Sequence, residues 1–172
     1  TGFLDFARVD VPFTRRLDLL GVVRNAAELA SSHPSRPQGT RIECDFPRTT
    51  MEVSGDEDML HRAFFNLVLN ALQASPEDGV VRLEAATLLP QQLDWRAAAF
   101  ESGAIAVRVI DSGPGISEAA RPRLFHPFFT TKPGGSGLGL AIVHRAVEAH
   151  RGVVVVDSDD RGSRFTVLFP RT

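Results

Sequence analysis

The chain has 172 residues and a formal charge of -2, from 19 basic and 21 acidic side chains. That balance argues against a general nucleic-acid glove, which needs a positive excess to displace counterions from phosphates. Hydrophobic residues at 43% and charged residues at 23% suit one packed domain and exclude disorder by composition. Apolar runs break before membrane-spanning length, no signal-peptide pattern opens the chain, and Cys44 alone permits neither an internal disulfide nor a cysteine zinc cage. A soluble, cytoplasmic domain in a reducing compartment is the expectation. Among the 19 basic residues Lys132 is the only lysine.

Residues 1–16, TGFLDFARVDVPFTRR, are too short for a core and read as the end of an upstream helix broken at Pro12. The domain proper is expected over 17–172. Asp18 can cap a helix whose Leu19, Leu20, Val22, Val23, Ala26, Ala27 and Ala30 share one face. A Ser/Pro/Gly loop, SSHPSRPQG, ends it, and RIECDF alternates as a strand with Ile42, Cys44 and Phe46 on one side. Asp56 starts a second helix that stops at Ser75-Pro76, with Glu57 and Asp58 set against its dipole. VVRLEAA and AIAVRVID are expected strands, joined by an irregular segment containing Trp95. GLGLAIVHRAVEAHRG is a helix closed by Gly152, and VVVVDS and SRFTVLF form a closing hairpin around DDRG. This order implies an α+β, two-layer sandwich: a mixed sheet of about five strands with helices on one face.

Three segments depart from a plain structural domain. Asn66 and Asn70 lie four apart on the second helix, so both carboxamides project from one face between apolar neighbours. An amide oxygen is a neutral hard ligand for Mg²⁺ already held by phosphates; a pair of hydrogen-bonded helix amides fits equally. Asp111 ends an apolar strand and opens D-S-G-P-G-I. A carboxylate there can accept the exocyclic amine of adenine and would repel guanine's oxygen; an Asp bonding its own backbone in a turn is the simpler account in isolation. T-T-K-P-G-G-S-G-L-G-L, Thr130 to Leu140, offers glycine N–H groups and a helix N-terminus to an anion. It fits neither a Walker loop nor a dinucleotide fingerprint, and a flexible linker is its bland alternative. Lys132 beside it supplies a compact charge suited to a mobile phosphate.

Taken together and in this order, N-L-V-L-N-A, D-S-G-P-G-I, L-F-H-P-F-F-T-T-K, G-S-G-L-G-L and G-S-R-F-T resemble the N, G1, F, G2 and G3 boxes of bacterial sensor histidine kinases, closest to the nitrogen-regulation type. The resemblance covers roughly residues 17 to 170, and F-L-D-F-A-R is similar to the tail of the family's dimerisation helix. It implies the Bergerat ATP-binding fold of the GHKL superfamily, with ATP and Mg²⁺ bound. By this likeness Asn70 matches the Mg²⁺ ligand and Asn66 the phosphate-facing residue one turn earlier. Asp111 matches the adenine-binding acid, with Gly113 and Gly115 beside the base. Phe128 and Phe129 match lid aromatics; Lys132, from its place beside the glycine loop, is expected to contact phosphate and to act in transfer. Gly135, Ser136, Gly137, Leu138 and Gly139 match the phosphate-facing turn, and Thr166 a water-mediated adenine contact. Two departures stand out: Ser163 replaces the usual threonine of the last box, and the Leu88–Ser102 connection is long, as a surface elaboration would be.

The phosphoacceptor is missing from this pattern. His33 is flanked by Pro34 and Pro37, and His61, His126, His144 and His150 lack the acceptor's helical context, so solvated or packing roles are expected for all five. A metal site from His144, Glu148 and His150 fails because positions six apart point to different helix faces. The resemblance then implies a catalytic fragment, itself monomeric, from a homodimeric parent whose upstream dimerisation domain bears the acceptor and whose partner is a cognate response regulator. Hydrolytic relatives and serine-kinase anti-sigma factors carry a glutamate at the position of Asn66; an amide cannot take that proton, which favours an imidazole nucleophile. A nucleotide-sensing module without transfer activity is the rival of another class.

Overall fold

The computed structural model describes residues 14–93, 100–132 and 135–171. In chain order these form β1 (Arg15–Asp18), α1 (Leu19–Ser31), β2 (Arg41–Asp45), β3 (Glu52–Gly55), α2 (Glu57–Ala74), β4 (Val80–Leu88), β5 (Ala104–Asp111), α3 (Gly139–Ala149), β6 (Val153–Asp159) and β7 (Gly162–Pro170). Short 3-10 turns stand at Pro90–Gln92 and Arg121–Arg123. A five-stranded sheet runs β2-β4-β5-β7-β6, parallel between β2 and β4 and antiparallel elsewhere. The expected α+β sandwich with a mixed sheet and helices on one face is the observed architecture.

Both expected helix starts are capped as the sequence suggests. Asp18 accepts the Leu20 N–H at 3.2 Å and Asp56 the Met59 N–H at 3.1 Å, each satisfying a donor that the helix itself cannot. All seven residues expected on the inner face of α1 are buried. They pack with Leu60, Phe64, Leu67, Val68 and Leu72 of α2 and Val143 and Val147 of α3 over Val81, Leu83, Ile105, Val107, Val109, Phe165, Val167 and Phe169 of the sheet. Full burial of one such large aliphatic or aromatic side chain contributes about 1.5–3 kcal/mol, so this layer is the main source of stability.

Several details differ from the sequence reading. Arg15 and Arg16, assigned to the upstream remnant, belong to β1, which pairs antiparallel with β3 through Leu17 and Val53. This ribbon is four residues per strand and largely polar, so its pairing is a long-range event with no local signature. Residues 1–13, including the expected helix tail, and Trp95 lie outside the described residues. The long connection after β4 is more than a surface elaboration: Leu93 and Phe100 are buried against Ala104, Ala106 and Leu168 on the sheet face opposite the helices. β5 is therefore covered by apolar residues on both faces, with Arg108 the charged exception on the outer one. On the edge strand β2, Ile42 packs on the core as expected, as does Phe46 just beyond it, whereas Cys44 is exposed.

The end of α3 also differs. Arg151, not Gly152, adopts the left-handed conformation (φ 59°). Its N–H donates to the Glu148 carbonyl at 2.9 Å and Gly152 N–H to the Val147 carbonyl at 2.8 Å, a Schellman closure. Glycine is needed at 152 for another reason: a Cβ there would stand 2.6 Å from the Leu168 carbonyl oxygen.

His150, the cap residue of α3, joins this end to the start of α2. Its buried ring accepts the Asp56 N–H at Nε2 (2.9 Å) and donates from Nδ1 to the Ala146 carbonyl (2.6 Å). Since a backbone N–H can only donate, the proton sits on Nδ1. His150→Leu should strand that buried N–H and lower stability by about 1–3 kcal/mol, read as an earlier urea midpoint at unchanged slope. His150→Gln should recover part of the loss. A wild-type midpoint for the leucine variant would mean that the bond contributes nothing.

Candidate functional site

α2 buries one face and leaves another open. Asn66, Asn70 and Gln73 follow one another at helical spacing along the open face and line a cleft of about 700 Å³. Asp111 at the end of β5 closes its floor, and the segment Phe129–Lys132 and the turn Gly135–Gly139 form the opposite wall. Apolar side chains, Leu69, Ile116, Leu124, Ile142 and Phe165 among them, line the space between. The cleft is thus largely apolar with a few convergent polar groups, the usual make-up of a small-molecule site.

Asp111 is buried at 7% exposure. Its Oδ1 accepts the Gly113 N–H at 2.9 Å and the Ser163 N–H at 3.2 Å, and its Oδ2 has no hydrogen-bond partner among the described residues. The turn reading and the pocket reading of Asp111 are therefore both realised, one by each oxygen. Burial raises the carboxyl pKa, opposed by those two N–H donors and by the Lys132 charge. The tight approach of β7 that delivers the Ser163 N–H depends on Gly162, where a Cβ would meet the Asp111 carbonyl oxygen at 2.0 Å.

Lys132 points into the cleft, with Nζ 2.5 Å from Asn70 Oδ1 and 2.7 Å from Gln73 Oε1. Burial lowers its pKa, opposed by the Asp111 charge. Asn66 donates from Nδ2 to the Arg62 carbonyl at 2.9 Å, a bond to the preceding turn of its own helix. Its Oδ1 faces Gly139, the first residue of α3. No side chain caps α3 at Leu138, so the helix's leading N–H groups are available to an anion in the cleft.

Most of the residues singled out in the sequence meet here: Asn66, Asn70, Asp111, Gly115, Phe129, Lys132, Gly135, Ser136, Gly137, Leu138 and Gly139 all line the cleft. Two do not. Thr166 lies on the opposite face of β7 from Ser163 and Phe165, beside Arg108 and Val155, and strand alternation excludes it from the cleft. Ser163 is the cleft residue of that strand. Gly113 packs against the end of α2, where a Cβ would stand 2.3 Å from the Ala74 carbonyl oxygen. Gly115 (φ 81°) is held by the β6–β7 hairpin, its would-be Cβ 1.9 Å from the Asp159 carbonyl oxygen. At both positions the missing Cβ lets protein backbone approach protein backbone.

Of the two expected lid aromatics, Phe129 faces the cleft while Phe128 (φ 68°) is turned out at 76% exposure. The Phe128 N–H donates to the Gly137 carbonyl at 2.9 Å, tying the two walls of the turn together. Gln73 was not singled out, although its position three residues after Asn70 on the same face is a signal present in the sequence. Three of the five histidines have named partners: His33 contacts Ser35, His144 packs on Phe125 beside Glu148, and His150 is bonded at both nitrogens.

A sequence profile described as histidine kinase-, DNA gyrase B-, and HSP90-like ATPase matches residues 55–172. The sensor histidine kinase ZraS of Escherichia coli K12 is 40% identical over 156 residues, which cover 90% of this chain and 30% of that protein. The sensory histidine kinase/phosphatase NtrB of Rhizobium leguminosarum bv. phaseoli is 34% identical over 160 residues, 91% of this chain and 38% of its own length. The chain spans well under half the length of these curated relatives. Among solved structures, the mycobacterial sensor histidine kinase MprB superposes with a TM-score of 0.75 at 29% identity, covering 92% of this chain and 97% of that one. No helix among the described residues is long and apolar enough to cross a membrane. With the profile spanning more than half of it and the fold matching, the chain belongs to the histidine kinase-, DNA gyrase B- and HSP90-like ATPase family, as an ATP-binding catalytic domain of the sensor histidine kinase kind.

Proposed function

We propose that this domain binds ATP with the adenine on Asp111 and the triphosphate between α2 and the Gly135–Gly139 turn, and that its γ-phosphoryl passes to a histidine on a dimerisation domain outside this chain. The observation that carries the reading is the state of Asp111: a buried carboxylate with Oδ1 pinned by two backbone N–H groups and Oδ2 left for a donor in an apolar cleft. A carboxylate only accepts, so it selects the adenine amine over the guanine oxygen. The uncapped start of α3 and Lys132 are placed for phosphate oxygens.

Asn70 fits a Mg²⁺ ion on the chemistry of its donor: its Oδ1 already holds a cation, the Lys132 ammonium. Mg²⁺ would neutralise charge on the triphosphate, with the amide oxygen as a neutral hard ligand. Asn66 turns an amide oxygen toward the same region but has no basic group to activate water. The imidazole nitrogen carries its own lone pair; it attacks γ-phosphorus in line as the bond to the ADP oxygen breaks. Positioning and charge stabilisation do most of the work. The phosphoryl group then goes to a response regulator, and the likeness of F-L-D-F-A-R to the tail of a dimerisation helix supports a homodimeric parent.

Asp111→Asn tests the adenine contact and the electrostatics together. Because Oδ1 is engaged by Gly113 and Ser163, the new NH₂ must face the cleft, donor against donor. ATP affinity should fall about tenfold to hundredfold or more by calorimetry. Stability should move the other way. The folded-state pKa of Asp111 is raised, so its ionised form opposes folding: the penalty is absent below the ordinary carboxylate range and complete above the raised value. The variant should therefore melt higher than the wild type at neutral pH, the gap closing as pH falls through the carboxylate range. Near-wild-type affinity would sink the adenine assignment; a lower melt at neutral pH would mean that attraction to Lys132 outweighs burial.

Asn70→Ala should keep adenosine binding but lose the gain in ATP affinity that Mg²⁺ brings. Retention of that gain would place the metal ligand elsewhere.

The chain alone should neither label itself with γ-phosphate nor hydrolyse ATP beyond a trace. Supplying the dimerisation helices in trans should yield an acid-labile, base-stable phosphohistidine on those helices. Strong labelling of one of the five histidines in this chain would overturn the proposal.

A further inference from the structure

The cleft already contains a cation. Lys132 Nζ sits between Asn70 Oδ1 at 2.5 Å and Gln73 Oε1 at 2.7 Å. Both acceptors are neutral carboxamide oxygens, the hard donors that a divalent cation also takes. They stand three residues apart on α2 and so face the same side.

The orientation of Gln73 is set from behind. Its Nε2 donates to Ser35 Oγ at 2.7 Å, and that oxygen lies 2.7 Å from His33 Nδ1. The amide nitrogen is thereby directed toward the loop after α1, and the amide oxygen toward the cleft. The Ser35 contact defines which end of the side chain meets the ligand.

We propose that Asn70 and Gln73 form a single two-oxygen seat that holds one cation at a time: the Lys132 ammonium in the absence of metal, a divalent ion in its presence. The inference rests on the reading of Asn70 as the metal ligand and adds Gln73 as the second oxygen ligand, itself oriented by Ser35. Two cations cannot share these oxygens without strong mutual repulsion in a partly dry cleft. Arrival of the metal therefore frees the ammonium, whose flexible stem lets it move to a phosphate oxygen. Without metal, the seated ammonium is the nearest positive charge to the triphosphate.

The test uses the 172-residue chain and a non-hydrolysable ATP analogue, with calorimetry in EDTA and across a Mg²⁺ titration. Lys132→Met should weaken metal-free binding about tenfold. It should also lower the Mg²⁺ concentration giving half of the affinity gain by about threefold or more, because the competitor is gone. Gln73→Leu should weaken metal-free binding several-fold in the wild-type background and change it little in the Lys132→Met background, since in EDTA its role is to seat the ammonium. Thermal melts of both variants report on the fold, whose buried layer they leave untouched. An unchanged or raised Mg²⁺ midpoint for Lys132→Met overturns the proposal, and so do additive effects in the double variant. Asn70→Ala separates the two levels. If it keeps the Mg²⁺ gain, the metal-ligand reading fails; if it loses the gain while the Lys132→Met midpoint stays put, only the exclusive seat fails.

Discussion

Everything at this site depends on α2 serving two environments along one cylinder. Leu60, Phe64, Leu67, Val68 and Leu72 are buried in the core, and their burial fixes the helix's rotation about its own axis. Once that rotation is set, Asn66, Asn70 and Gln73 lie on the face that lines the cleft. The same 3.6-residue period that fills the core thus spaces the polar groups. The helix is held at its start by the Asp56 cap and by His150, and at its end the Ser75 hydroxyl donates to the Ala71 carbonyl at 2.9 Å. A register shift at either end would move the amides and the core together.

Across the cleft the controlling quantity is electrostatic. Asp111 and Lys132 are both drawn out of water, and each is disfavoured as an ion by that burial; each relieves the other's penalty in part. Neither is a net source of stability on these grounds. Groups held charged against their solvation are poised for partners that supply the missing interactions, which is the usual condition of a binding site. Two backbone N–H donors hold Asp111 in place, so its cost is borne without loss of geometry.

How much of this was legible in the sequence follows from the range of each interaction. Helix caps and apolar periodicity act within a few residues, so α1, α2 and their inner faces could be read directly. Asp111 could be read because an acid ends a strand that is apolar but for Arg108. β1 and β3 could not, since Arg15–Asp18 and Glu52–Gly55 are strands only through each other. Thr166 was misplaced by parity: one residue along β7 is the difference between the two sheet faces, and that register is set by pairing with β5 and β6. The glycines were found but their reason was not. A glycine beside a pocket suggests ligand approach, whereas Gly113, Gly115 and Gly162 are required by backbone of α2, β6 and β5 respectively.

The hairpin of β6 and β7 packs on Asp111 at Gly162 and on the following loop at Gly115, and the end of α2 packs on Gly113. The Asp111 end of the cleft is therefore formed by contacts internal to the fold. The other end differs in kind: among the described residues, Phe128 N–H donates to the Gly137 carbonyl and Lys132 to the amides of α2. On the proposed reading, moving Lys132 from those amides to a phosphate exchanges one charge-assisted bond for another at small net cost, while the Asp111 end stays as it is. A fixed end for the base and an exchangeable contact for the phosphates would suit the proposed binding of a nucleotide and release of part of it.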